Sequence, residues 1–111
     1  VTTGASWVFT VPAGQGGKYR VAALLLFAAT TAWAEGEPAQ LFLYKNGANL
    51  ATLDFRAGAG ATSQLKAVGG ATTVDVAATD TLQIRGYQET GGALALHTDA
   101  KYNWVAIERV G

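Results

Sequence analysis

Residues 17–28, GKYRVAALLLFA, place apolar side chains on both sides of any strand they form. One side carries Tyr19, Val21, Ala23, Leu25 and Phe27, and the other carries Arg20, Ala22, Leu24 and Leu26. An antiparallel sheet with one wet face reads apolar-in, polar-out instead. The closing segment Tyr102–Val110 breaks the rule in the same way, with Val105 and Ile107 opposite Tyr102, Trp104 and Ala106. A sandwich core covers one face of each sheet, so the second face of these segments needs another cover. A buried Trp or Tyr removes roughly 150–250 Å² from water, worth several kcal/mol at about 25 cal/mol per Å². Association of subunits is the expected cover in so small a chain. The alternative is that residues 57–68 fold over that face.

Strand periodicity runs through the rest of the chain, and no stretch shows a capped helical period. Ser6–Val11 alternates, with Trp7, Phe9 and Val11 opposite Ser6, Val8 and Thr10. Pro12-Ala13-Gly14 ends it, because proline gives up a ladder donor and glycine tolerates a turn. Residues 30–38 read as a loop. Ala39–Lys45 and Asn49–Arg56 read as strands joined through Asn46-Gly47, which supplies the positive φ angles of a tight hairpin. Ala57–Ala61 reads as a Gly/Ala linker, and Gln64–Val68 as a short strand before Gly69-Gly70. Thr72–Ala77 alternates, as does Thr81–Tyr87, with Leu82 and Ile84 opposite Gln83 and Arg85. Ala93–His97 follows Gly91-Gly92 as a short strand. Short strands with regular turn signals predict a single all-β domain over residues 1–111, a sandwich or a barrel.

Composition narrows the function. Half of the 111 residues are apolar and 14% are charged, which excludes a disordered chain. Eight Lys/Arg balance eight Asp/Glu, which argues against a nucleic-acid partner or a polybasic membrane anchor. Without cysteine there is no disulfide framework and no thiol chemistry. Residues 18–35 imitate a secretory signal, with Lys18 and Arg20 before an apolar run and Ala32-Trp33-Ala34 at its end. That run is internal and shorter than the about 20 residues of a membrane span. It reads as a core strand entering a loop, and no membrane insertion is expected. A chain opening on Val1 rather than Met is expected to be processed or cut from something longer.

Three stretches resemble the C1q/TNF-like jelly-roll superfamily. Phe9-Thr10-Val11-Pro12 followed by Gly17-Lys18-Tyr19-Arg20-Val21 is similar to that family's strand, turn and Gly-x-Tyr-x-apolar strand. Leu43-Tyr44-Lys45-Asn46-Gly47 resembles its central hairpin. Gly69-Gly70, an alternating strand and then Asp80-Thr81-Leu82-Gln83-Ile84 resemble its turn-Asp-x-apolar-x-apolar step. The closing stretch, Ala93-Leu94-Ala95-Leu96 through Ala106-Ile107-Glu108-Arg109-Val110, looks like the C-terminal ends of bacterial and phage members. The resemblance covers roughly residues 6–110 and implies a two-sheet antiparallel jelly-roll sandwich assembled as a homotrimer. Tyr19, Val21, Val105 and Ile107 then face the core. Ala22, Leu24, Leu26, Tyr102, Trp104 and Ala106 then face partner subunits. The family's first strand or two would precede Ser6, so a shortened version or a removed upstream part is implied.

Catalysis finds little in the residues. His97 is the lone histidine, and with Ser6 and Ser63 the only serines a Ser/His/acid constellation needs one of them beside it. Gly58-Ala59-Gly60 lacks the Lys-Ser/Thr of a phosphate loop. Glu35 and Glu37 are paired carboxylates in spacing, but Gly36 and Pro38 beside them favour a solvated loop. No cofactor is expected. Some family members bind Ca²⁺, for which Glu35, Glu37, Asp80 and Asp99 are loop candidates, yet no loop has the acidic spacing of a dedicated site. Recognition of a host-surface glycan or protein would favour loop aromatics on a rigid scaffold. Trp33 with Glu35 and Glu37, and Tyr87, are the candidates, against a reading in which Trp33 tucks under its own loop.

The expected function is a non-enzymatic trimeric module at the surface of a phage or bacterial appendage, giving trimerisation and adhesion to a host or partner. The alternative is a structural protein that decorates a virion or spore surface and binds no receptor. A virion or an extracellular surface is the expected location in either case.

Overall fold

The computed structural model describes residues 2–3, 8–27, 38–57, 66–88, 96 and 100–111. They form an all-β structure of two antiparallel sheets. The strands are β1 (Thr2–Thr3), β2 (Phe9–Thr10), β3 (Gly17–Phe27), β4 (Pro38–Lys45), β5 (Ala48–Ala57), β6 (Lys66–Val76), β7 (Thr81–Gln88) and β8 (Trp104–Arg109), with a 3₁₀ turn at Ala100–Tyr102. One sheet runs β1-β7-β4-β5, with β2 also on β7, and the other runs β6-β3-β8.

The core lies between the sheets. β3 gives Tyr19, Val21, Ala23, Leu25 and Phe27, the inward set expected from alternation, and β6 adds Val68, Val74 and Val76. From the opposite sheet come Ala39, Leu41 and Leu43 of β4 with Leu82 and Ile84 of β7. Val105 and Ile107 of β8 pack against this cluster, on the side that the resemblance implies. Apolar burial of these residues is the main stabilising term.

The β4–β5 hairpin turns where expected. Asn46 and Gly47 have φ of 51° and 81°, the positive pair that matches the strands' twist. β5 is irregular: its register slips opposite Leu41/Phe42 and opposite Leu43/Tyr44. Leu53 and Leu50 are thereby left as extra residues, in the manner of β-bulges.

Two expectations are corrected. Gly69-Gly70 is not a turn between two strands, because β6 continues through both glycines. A Cβ on Gly70 would meet the Leu53 carbonyl oxygen of β5, and one on Gly69 would lie 3.0 Å from Leu24 Cδ1. The glycines let neighbouring chain segments approach, which is the other reason glycine occurs inside strands. The last strand also starts later than predicted. Tyr102 belongs to the 3₁₀ turn, and Asn103 Oδ1 accepts a hydrogen bond from the Leu26 amide at 3.0 Å where the strand ladder has not yet begun.

Asp54 ties the sheets together. Its Oδ2 accepts from the Gly69 amide of β6 at 2.9 Å and from Arg56 Nε at 3.2 Å, and its Oδ1 accepts from the Phe55 amide. Burial pushes this carboxyl's pKa up, but the Gly69 hydrogen bond, Arg56 and the Phe55 amide together hold it below its usual value.

Candidate functional site

The outer face of the β6-β3-β8 sheet is built in register. Ala22 stands between Ala71 and Ala106, and Leu24 between Gly69 and Trp104. Leu26 lies beside Ala67, and Arg20 between Thr73 and Glu108. The apolar rows therefore occupy one half of the face, and charged residues border the other. Ala22 and Leu26 are only 8% and 9% exposed within a single chain, so this part of the face is covered without a partner. The open apolar surface is carried by the rings of Trp104, 42% exposed, and Tyr102, 39% exposed, with Leu24 half-buried and Ala106 exposed. Lys101 Nζ sits 5.2 Å from the centre of the Tyr102 ring.

The predicted recognition residues fare differently. Trp33, Glu35 and Glu37 lie outside the described residues, as do His97, Ser6, Ser63 and Asp99. Tyr87 is described, near the end of β7 rather than in a loop, with its ring 5.8 Å from that of Phe42.

Asp80, a loop acid weighed for Ca²⁺, is committed to the protein itself. Its Oδ1 accepts from Asn46 Nδ2 at 3.0 Å and its Oδ2 from the Ala77 amide at 2.9 Å, with Lys45 Nζ at 3.7 Å. The Asn46 bond above all, then the Ala77 amide and Lys45, hold the carboxyl's pKa below its ordinary value. An open recess of about 580 Å³ lies at this end, lined among others by Lys18, Lys45, Asp75 and Asp80. Lys18 faces Asp75 at 3.9 Å and Lys45 faces Asp80, so its charges are matched within the recess. Among the described residues no group of three His, Cys, Asp or Glu side chains could hold a metal ion, and no helix is long and apolar enough to cross a membrane.

A scan against protein-family models and a search of curated proteins give no match for the chain.

One face went unrecognised in the sequence. β4 alternates aliphatic Ala39, Leu41 and Leu43 toward the core with Gln40, Phe42 and Tyr44 on the outside. Rings on the outside of one strand resemble ordinary apolar content until the register brings them beside Tyr87, Arg85 and Phe55. The available signal was that β4, like β3, carries large side chains on both faces.

Proposed function

We propose that the chain is a non-enzymatic, self-associating jelly-roll module of the C1q/TNF-like kind, assembled as a homotrimer. It would serve trimerisation and adhesion at the surface of a phage or bacterial appendage. The strand order supports the fold reading: β7-β4-β5, with β1 and β2 both on β7, against β6-β3-β8 matches seven of the eight strands of a jelly roll.

The observation that carries self-association is the pairing of Leu24 with Trp104 on an outward sheet face, with the Tyr102 ring also exposed. Exposed rings beside a half-buried leucine are a surface that a partner stabilises by removing them from water. Leu24, Tyr102, Trp104 and Ala106 are the residues we assign to contacts between copies, whereas Ala22 and Leu26, expected there from the resemblance, are already buried within one chain.

Light scattering on the purified protein tests this. The expected mass is three times the 11.5 kDa of one chain, and Leu24→Asp or Trp104→Asp should lower it by setting an unpaired charge in the contact. A wild-type mass of one chain at all concentrations, or mutants that assemble as the wild type does, overturns the reading. Binding of the assembled protein to host cells separates an adhesin from a purely structural shell component.

A further inference from the structure

The outer face of the five-stranded sheet, on the opposite side of the sandwich from the face assigned to self-association, carries a patterned set of side chains. Three cross-strand rows run from β7 through β4 to β5. They are Tyr87-Gln40-Phe55, Arg85-Phe42-Thr52 and Gln83-Tyr44-Asn49. Rings thus stand beside amide, hydroxyl or guanidinium groups in each row across the sheet, and none of these nine side chains is aliphatic or acidic. Phe42 is the hub, with ring centres at 6.3 Å to Tyr44 and 5.8 Å to Tyr87. Phe55 is 59% exposed.

Arg85 is the single charge in this set. Its guanidinium carbon lies 4.1 Å over the Tyr44 ring and its Nη2 donates to Gln83 Oε1 at 3.1 Å. Its Nε is shielded from water and has no hydrogen-bond partner among the described residues. A buried donor without an acceptor is costly, and no carboxylate pairs with Arg85 among the described residues. The one positive charge of the face is therefore left without a protein carboxylate among the described residues, set among rings and side-chain amides.

We propose that this face binds an acidic saccharide. Arg85 takes the sugar carboxylate, the Phe42, Tyr87 and Phe55 rings take the apolar C–H faces of the pyranose units, and Gln40, Thr52 and Asn49 hydrogen-bond hydroxyls. Size and charge select this occupant. Three strands by five residues span about 10 Å by about 14 Å, far below the roughly 800 Å² per partner of a stable protein interface. Single-stranded nucleic acid also stacks on rings but needs a positively charged groove to track its phosphates, and this set holds one cation. The site needs neither a trimer nor an appendage. A monomer that still binds the sugar supports this inference while overturning the assembly proposed above.

The test is a two-dimensional NMR titration of the whole chain with trigalacturonate and sialyllactose, beside their neutral counterparts galactotriose and lactose, and an oligothymidylate. Expected are shifts confined to β4, β5 and β7 with an acidic sugar, and affinity that falls with added salt. The neutral counterpart should bind at least about tenfold more weakly, as loss of a charge-assisted hydrogen bond implies. Arg85→Gln should lose the preference for acid, and Phe55→Ser, at an exposed position that spares the core, should weaken both sugars. Shifts on another face, no shift with either acidic sugar, equal affinity for acidic and neutral sugars, preference for the oligothymidylate, or unchanged binding by folded Arg85→Gln protein each overturn the proposal.

Discussion

Asn46 and Asp80 hold each other across two turns. Asn46 Nδ2 donates to Asp80 Oδ1, while Asn46 Oδ1 accepts from the Thr81 amide at 2.9 Å. The β4–β5 hairpin is thereby docked on the turn between β6 and β7, whose own closure uses the Asp80 side chain on the Ala77 amide. The carboxylate is the form these donors favour.

Acid should therefore weaken the fold through Asp80 and Asp54. Both have folded pKa values below the usual 3.8. Such groups stabilise the native state fully above their unfolded value, and the contribution is lost as pH falls through the folded one. Thermal unfolding followed from neutral pH downward should show Tm falling in this acid window. Asp80→Asn should lower Tm at neutral pH and flatten the decline.

Asp54→Ala should cost about 1–3 kcal/mol, because the half-buried Gly69 amide loses its acceptor. Urea unfolding measures it, and a shifted midpoint with unchanged m-value is the expected result.

The adjacent glycines of β6 should respond unequally to alanine. Gly70→Ala drives a methyl into the Leu53 backbone carbonyl, whereas Gly69→Ala meets the movable end of the Leu24 side chain as its nearest neighbour. Overpacking at Gly70 should cost about 1–3 kcal/mol, and Gly69→Ala should cost less. Equal midpoints for the two variants in urea would contradict the approach of β5 on β6.

Thr79 stands at φ 73°, a conformation that a β-branched residue adopts only under strain. Its side chain is exposed, so replacement costs no packing. Thr79→Gly should stabilise the protein by about 1 kcal/mol, read as a rise of several degrees in Tm.

The legible parts of the chain were those where local chemistry and tertiary need agree. Asn46-Gly47 has one efficient use between two strands, and the faces of β3 and β8 follow from strand alternation. Gly69-Gly70 was misread because glycine's two uses, turning and yielding space, look identical until the strand beside it is known. Alternation of its neighbours suggests a strand at Tyr102, but the Asn103 side chain takes the bond that a ladder would make to the Leu26 amide. The ring-bearing face of β4 depends on the β7 and β5 registers, which no local window contains.

The extra residues Leu50 and Leu53 bend the outermost strand of the larger sheet. A crooked border is a poor template for another chain's backbone. The β5 rim is thereby poorly shaped for zipping onto a second backbone and growing into an endless ribbon.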